Sequence, residues 1–88
     1  MFNKKYKSSA KVLRALGHPI RLSIAKGLIK QKSCNVNKIV SGLKIPQSTV
    51  SQHLNTLKAA GVIKGERKGV KVCYSVASDL VKRILKNI

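Results

Sequence analysis

Acidic residues are almost missing from this chain: Glu66 and Asp79 are the only two among its 88 residues. That scarcity removes the paired carboxylates on which much general acid–base chemistry depends. Aromatics are nearly as sparse, with Phe2, Tyr6 and Tyr74 and no tryptophan. The stacking platforms that favour single strands or RNA are therefore lacking. The two cysteines, Cys34 and Cys73, form neither a C-x-x-C pair nor a disulfide framework, which fits a reducing compartment. With His18 and His53 they are dispersed through different elements, and zinc needs three or four converging ligands. No apolar run approaches the ~18 residues of a membrane span, so no membrane partner is expected. The first residues also lack a signal-peptide pattern, and the expected location is the cytoplasm. There is no P-loop, and Ser51 and His53, two positions apart on a helix, diverge without a third group to orient the histidine. The chain is not expected to be an enzyme, to carry a catalytic residue or to need a cofactor.

Positive charge is what the chain has in excess. Nineteen Lys and Arg give a formal net charge of +17 at pH 7. A chain so cationic repels itself and calls for a polyanion, nucleic acid first and an anionic membrane surface second. Its length allows one domain, residues 1–88, with a core that buries roughly 60–65% of the unfolded surface. Residues 1–9 are polar and basic and read as a flexible arm, with Ser8 or Ser9 available to cap the first helix.

One stretch departs from the basic background. After Pro46, which suits a helix start, Val50, Leu54 and Leu57 recur at helical spacing and make a single apolar face. The remaining positions, Gln47, Ser48, Ser51, Gln52 and Asn55, are short, polar and uncharged, able to donate and accept hydrogen bonds without a long flexible stem. Upstream, Val36, Ile39 and Val40 mark a shorter helix that Asn35 can cap, and Gly42 to Pro46 has the length of the turn in a helix-turn-helix. This is the pattern of a recognition helix whose polar groups reach base edges in a major groove.

Before it, Val12, Leu13 and Leu16 predict a first helix ended by Gly17. Pro19 opens a second, in which Ile20, Ile24 and Leu28 line one side and Leu22, Ala25 and Ile29 widen it, and a loop is expected from Lys30 to Cys34. After it, Gly61 stops the recognition helix and Val62 and Ile63 begin a strand. Glu66 to Gly69 turns, and Val70, Val72 and Tyr74 alternate with Lys71, Cys73 and Ser75. Asp79 is suited to the N-terminus of a closing helix carrying Leu80, Val81, Ile84, Leu85 and Ile88. The fold class read from this order is mainly α, a winged helix-turn-helix of order α-α-α-α-β-β-α.

Three blocks, LRALGHPIRLSIAKGL, PQSTVSQHLNTLKAAGVI and ERKGVKVCYSV, resemble in sequence and order the signature blocks of the ArsR/SmtB family of bacterial transcriptional repressors. Within it the chain is similar to the small non-metal-sensing branch that includes the repressor of the anthrax protective-antigen gene. The resemblance implies a homodimer formed by the first and last helices, with the recognition helix in the major groove and the wing along the backbone or in the minor groove. Carried over position by position, it places Gln47, Ser48, Thr49, Ser51, Gln52 and His53 at the groove. Among them Gln52 is the best base reader, since an amide pairs bidentately with adenine. Lys44, Lys58, Lys64, Arg67, Lys68 and Lys71 flank this surface as phosphate contacts, setting affinity for all sequences. Gly69 permits a tight turn that gathers Arg67, Lys68 and Lys71 at the wing tip. Val12, Leu13, Leu16, Val81, Ile84, Leu85 and Ile88 are assigned to the dimer interface.

The metal-sensing pattern of the family is not met. Its cysteine motif would fall on Asn35, Asn37 and Val40, and Asp79 finds no ligand partner among Val81, Lys82, Ile84, Leu85, Lys86 and Ile88. No metal is expected, and no small-molecule effector can be read from the sequence. Cys34 and Cys73 are the candidates for a thiol switch. The function expected is that of a sequence-specific, double-stranded-DNA-binding regulator, a homodimeric repressor on an inverted-repeat operator. The reading from a different class is a non-sequence-specific packaging or RNA-binding protein, for which the charge alone would suffice.

Overall fold

The structure, a computed structural model, describes residues 3–31 and 41–88. Four helices, α1 (Lys4–Leu16), α2 (Pro19–Gln31), α3 (Gln47–Ala59) and α4 (Asp79–Lys86), accompany a two-stranded sheet of β1 (Ile63–Lys68) and β2 (Lys71–Val76). The helix expected from Asn35 to Gly42 lies, except for its end, outside the described residues. Ser41 is helical and Gly42 to Lys44 turn the chain into α3. The architecture is a mainly α-helical winged helix-turn-helix.

α1 begins earlier than Ser8 or Ser9. The side-chain oxygen of Asn3 accepts from the Lys5 backbone N–H at 2.9 Å, so the helix is capped there and residues 4–9, expected as a flexible arm, are helical. α2 likewise runs through Gln31, into the span predicted as loop from Lys30. It is the central element: Ile24 and Ala25 are fully buried, and the helix touches α1, α3, β2 and α4.

α3 is fixed by its apolar face. Val50, Leu54 and Leu57 are buried in the common core with Val12 and Leu16 of α1 and Val62 and Ile63 at the start of the hairpin. Its end is a Schellman motif: the Val62 N–H donates to the Leu57 carbonyl and the Gly61 N–H to the Lys58 carbonyl, each at 3.0 Å. Gly61 stands at φ +79°, the left-handed conformation this closure demands. Val62 and Leu57, both fully buried, supply the accompanying apolar contact.

The hairpin pairs Ile63 with Val76 through Lys68 with Lys71, leaving only Gly69 and Val70 in the turn. Glu66 and Arg67, predicted in the turn, are strand residues. Val70 is 96% exposed at the tip instead of opening an apolar strand. A two-residue connection accounts for both differences, because Gly69 at φ +67° supplies the left-handed step a tight hairpin needs. α4 is capped by Ser78, whose side chain accepts from the Val81 N–H, and begins with the acidic Asp79 in its first turn.

Candidate nucleic-acid interface

With Val50, Leu54 and Leu57 turned inward, Gln47, Ser48, Ser51, Gln52 and Asn55 are left exposed along α3. The Gln52 side chain makes no hydrogen bond among the described residues, so both ends of its amide are available. Its backbone carbonyl is occupied, accepting from Thr56 Oγ1 at 3.0 Å. Thr49 and His53 are half-buried, at the border of the packed face. His53 packs against His18, ring centroids 4.6 Å apart and planes tilted by 51°. The His18 ring is itself held, its Nδ1 accepting from the Ile20 N–H at 3.2 Å. Burial, then the neighbouring His18 and Arg21, push the His53 pKa below its ordinary 6.5. His53 is thus a buttress between α3 and the start of α2 more than a free reader of bases. Arg21, whose Nε is buried without a hydrogen-bond partner, completes this cluster.

All six lysines and arginines expected at phosphates, Lys44, Lys58, Lys64, Arg67, Lys68 and Lys71, are exposed. Lys44 sits at φ 53° in the turn before α3, an unusual left-handed conformation for a residue with a side chain. The wing divides its charges. Strand register puts Lys64, Lys68 and Lys71 on one face of the hairpin and Arg67, opposite Val72, on the other. The expected gathering of Arg67 with Lys68 and Lys71 is corrected to a Lys68–Lys71 pair closing the turn.

The residues assigned to a partner also separate. Val12, Leu16, Val81 and Leu85 are buried within the single chain, Val81 and Leu85 completely, so they belong to its own core. Leu13, 53% exposed, and Ile88, 67% exposed, remain free, with Ile84 partly so. The structure adds two residues that sequence reasoning missed, Tyr6, two turns before Leu13 on the same side of α1, and Leu80 on α4, both exposed. Helical spacing carries the signal: Leu80, Ile84 and Ile88 form one stripe and Val81 and Leu85 another.

Cys73 is half-buried in β2 and disulfide-bonded, in place of the exposed thiol its strand phase suggests. Cys34 lies outside the described residues, as do Asn35, Asn37 and Val40. Among the described residues, no three of His, Cys, Asp and Glu come together to hold a metal. No helix of the described residues is long and apolar enough to cross a membrane.

Residues 18–64, from His18 through α3 to the start of the wing, match the profile of the arsR family of bacterial regulatory proteins. A helix-turn-helix-type transcriptional regulator of Methanocaldococcus jannaschii is 43% identical over 83 residues, 94% of this chain and 93% of that protein. The chain belongs to the ArsR family. The transcriptional repressor PagR of Bacillus anthracis is another relative in it, 43% identical over 77 residues, 88% of this chain and 77% of PagR. The PagR crystal structure superposes with a TM-score of 0.84 at 40% identity, covering 94% of each chain. HlyU from Vibrio cholerae superposes at 0.86 with 27% identity over 98% of this chain and 92% of that one. This ArsR-family protein is a sequence-specific DNA-binding transcriptional regulator, closely related to the small branch in which PagR stands. The runner-up reading as a packaging protein loses its ground, because the +17 charge accompanies a regulator fold and not a featureless cationic surface.

Proposed function

We propose that the protein is a homodimeric repressor that reads an inverted-repeat operator with α3, using Gln52 as its chief base reader. The observation that carries this reading is the exposed, uncharged strip of Gln47, Ser48, Ser51 and Gln52, flanked by the exposed lysines of the wing and of the turn before α3. Long cationic side chains over the strip would bind any duplex. Short amides and hydroxyls discriminate among base edges. Ser51 accompanies Gln52 at bases or phosphate, while Gln47, Ser48 and Thr49 stand at the first turn of α3, the end of a recognition helix that meets base edges. His53 contributes by holding the helix against α2. One recognition helix spans too few base pairs to select a genomic site, which supports pairing of two copies across a two-fold axis. Leu13, Ile84 and Ile88, with Tyr6 and Leu80, are the apolar side chains available for that pairing. Half-site centres then fall about one helical turn, ~34 Å, or a small multiple of it apart.

Binding of the DNA flanking the protein's own gene, at ~150 mM salt and against excess unrelated duplex, is the test. Gln52→Ala is expected to cost roughly 1–3 kcal/mol on the preferred site and relax choice at one symmetric base pair. Lys68→Ala should weaken specific and unrelated duplexes alike and lower the salt slope by about one. Equal weakening of every duplex by Gln52→Ala would remove the assignment of α3's reading face.

A further inference from the structure

Away from the reading face of α3, the helices α2 and α4 and the strand β2 enclose a cleft of about 670 Å³. Its floor is apolar, made by Leu28 and Ile29 of α2, Val76 of β2 and Leu85 of α4. Around that floor stand four lysines, Lys26 and Lys30 from α2 and Lys82 and Lys86 from α4. Each pair is spaced i, i+4, so both ammonium groups of a pair lie on one helical face. Lys26 is half-buried and donates from Nζ to the Leu85 carbonyl at 2.5 Å, anchoring α4 to α2. The other three are exposed.

The one acidic residue on the lysine-bearing side of α4 is Asp79, three positions before Lys82. The chain has two acids, and neither lines the cleft: Glu66 lies in the wing and Asp79 in the first turn of α4. Two like-charged i, i+4 pairs around one space repel one another modestly, and an anion placed between them would relieve that repulsion. An inorganic anion would answer the lysines and leave the apolar floor unused, and a neutral lipid would do the reverse. On α4, Lys82 and Lys86 point away from the Leu80, Ile84 and Ile88 stripe, so covering that stripe with another copy leaves the cleft open.

We propose that this cleft binds an organic monoanion with an apolar body, of the fatty-acid class, its carboxylate among the lysines and its chain along Leu28, Ile29, Val76 and Leu85. The volume falls within the roughly 300–1,000 Å³ of small-molecule sites. Laurate below its micelle concentration is the probe, titrated calorimetrically into the full chain at ~0.15 M salt to screen diffuse attraction. One laurate binds per chain, while 1-dodecanol, which lacks the charge, and acetate, which lacks the tail, bind at least about tenfold more weakly. Lys82→Ala with Lys86→Ala weakens laurate by about tenfold. Lys4→Ala with Lys5→Ala, which removes the same charge from exposed positions of α1, leaves it unchanged. Lys30→Ala gives an independent reading from α2, a smaller loss of the same sign, and unchanged thermal melting verifies the fold of each variant. Many laurates per chain, or equal weakening by the α1 and α4 variants, would show generic attraction to a cationic protein and overturn the site. Lysine-dependent binding to phosphatidylglycerol vesicles without binding of free laurate would also overturn it, assigning the cluster to a membrane surface.

Discussion

Replacing Ile88 by serine separates the proposed pairing of two copies from the stability of one. Ile88 is 67% exposed just beyond the C-terminal end of α4, whereas Leu85, in the last turn of the helix, is 0% exposed. Fully burying an isoleucine side chain is worth ~1.5–3 kcal/mol, so about two thirds of that, roughly 1–2 kcal/mol, is still to be gained from a partner. A two-fold interface contains the residue twice, which makes the loss on substitution roughly 2–4 kcal/mol per dimer. At ~1.4 kcal/mol per factor of ten, the dimer dissociation constant should rise by roughly 30- to 1,000-fold. Serine is chosen over glutamate because an added negative charge would reduce the repulsion between two chains of +17 and confuse the reading.

Sedimentation equilibrium at ~0.3 M salt, where the self-repulsion is screened, measures the constant directly. Urea unfolding of the same variant should show little change at protein concentrations where the wild type is monomeric. Leu85→Ala is the contrast: its side chain belongs to the core of the single chain, and truncation should cost ~2–5 kcal/mol of folding stability. An unchanged dimer constant for Ile88→Ser would refute the assignment of the Leu80, Ile84 and Ile88 stripe to the partner.

Acid should destabilise the protein through His53. Its folded pKa is lowered, by burial first and then by His18 and Arg21, so between that value and 6.5 the unfolded chain binds a proton the folded chain refuses. Stability therefore falls as pH drops through 6.5 and levels off below the folded value; urea titrations across this range should show a flatter profile for His53→Gln, and an unaltered profile would reject the cause. Gly61→Ala isolates a backbone effect, because a Cβ there would meet nothing within 4 Å. The left-handed conformation costs ~1–2 kcal/mol with a side chain, offset by ~0.4–1 kcal/mol from a less flexible unfolded chain, for a net loss of about 1 kcal/mol in denaturant titration. A gain in stability would contradict the Schellman closure. Micromolar zinc, cadmium or arsenite should leave operator affinity unchanged, and a tenfold loss with any of them would require ligands this reading does not provide.

What the sequence made legible were features that depend on neighbours in sequence. The spacing of Val50, Leu54 and Leu57 is sufficient to orient α3, because a helix turns by a fixed angle per residue and one apolar stripe must face the core. The same logic placed Gly61 at the helix end. It was less decisive for α4, where every turn carries apolar residues on two adjacent stripes. Which stripe enters the core is set by long-range packing of α4 on the rest of the chain, where Lys26 of α2 reaches the Leu85 carbonyl across 59 positions. The wing turn was misplaced for a related reason: Glu66 and Arg67 look like turn residues, yet register with Cys73 and Val72 extends the ladder to Lys68 and Lys71. The His18–His53 contact had no local signature, and the i, i+4 lysine pairs of α2 and α4 gave no local sign that they face one cleft. They join residues whose only connection is the packing of α2 against α3 and α4.

The distribution of charge gives this packing a functional consequence. Lysine dominates the chain, yet α3 carries a basic residue only in its last turn, at Lys58. In the proposed reading, diffuse attraction to any duplex is built from groups around the reading helix, and choice among sequences from the uncharged groups on it. Because the two terms sit on different residues, salt can weaken the first without altering the hydrogen-bonding pattern of the second. The cost of the arrangement is mutual repulsion between two +17 chains. In the proposed dimer, the apolar stripe along α4 would offset that repulsion without adding charge, and DNA, by neutralising the lysines, would relieve it further. Dimerisation and operator binding should therefore reinforce one another most strongly at low ionic strength, where the repulsion in the free protein is least screened. A dimer constant independent of salt, measured with and without operator, would show that the positive faces are too far apart for this coupling to operate.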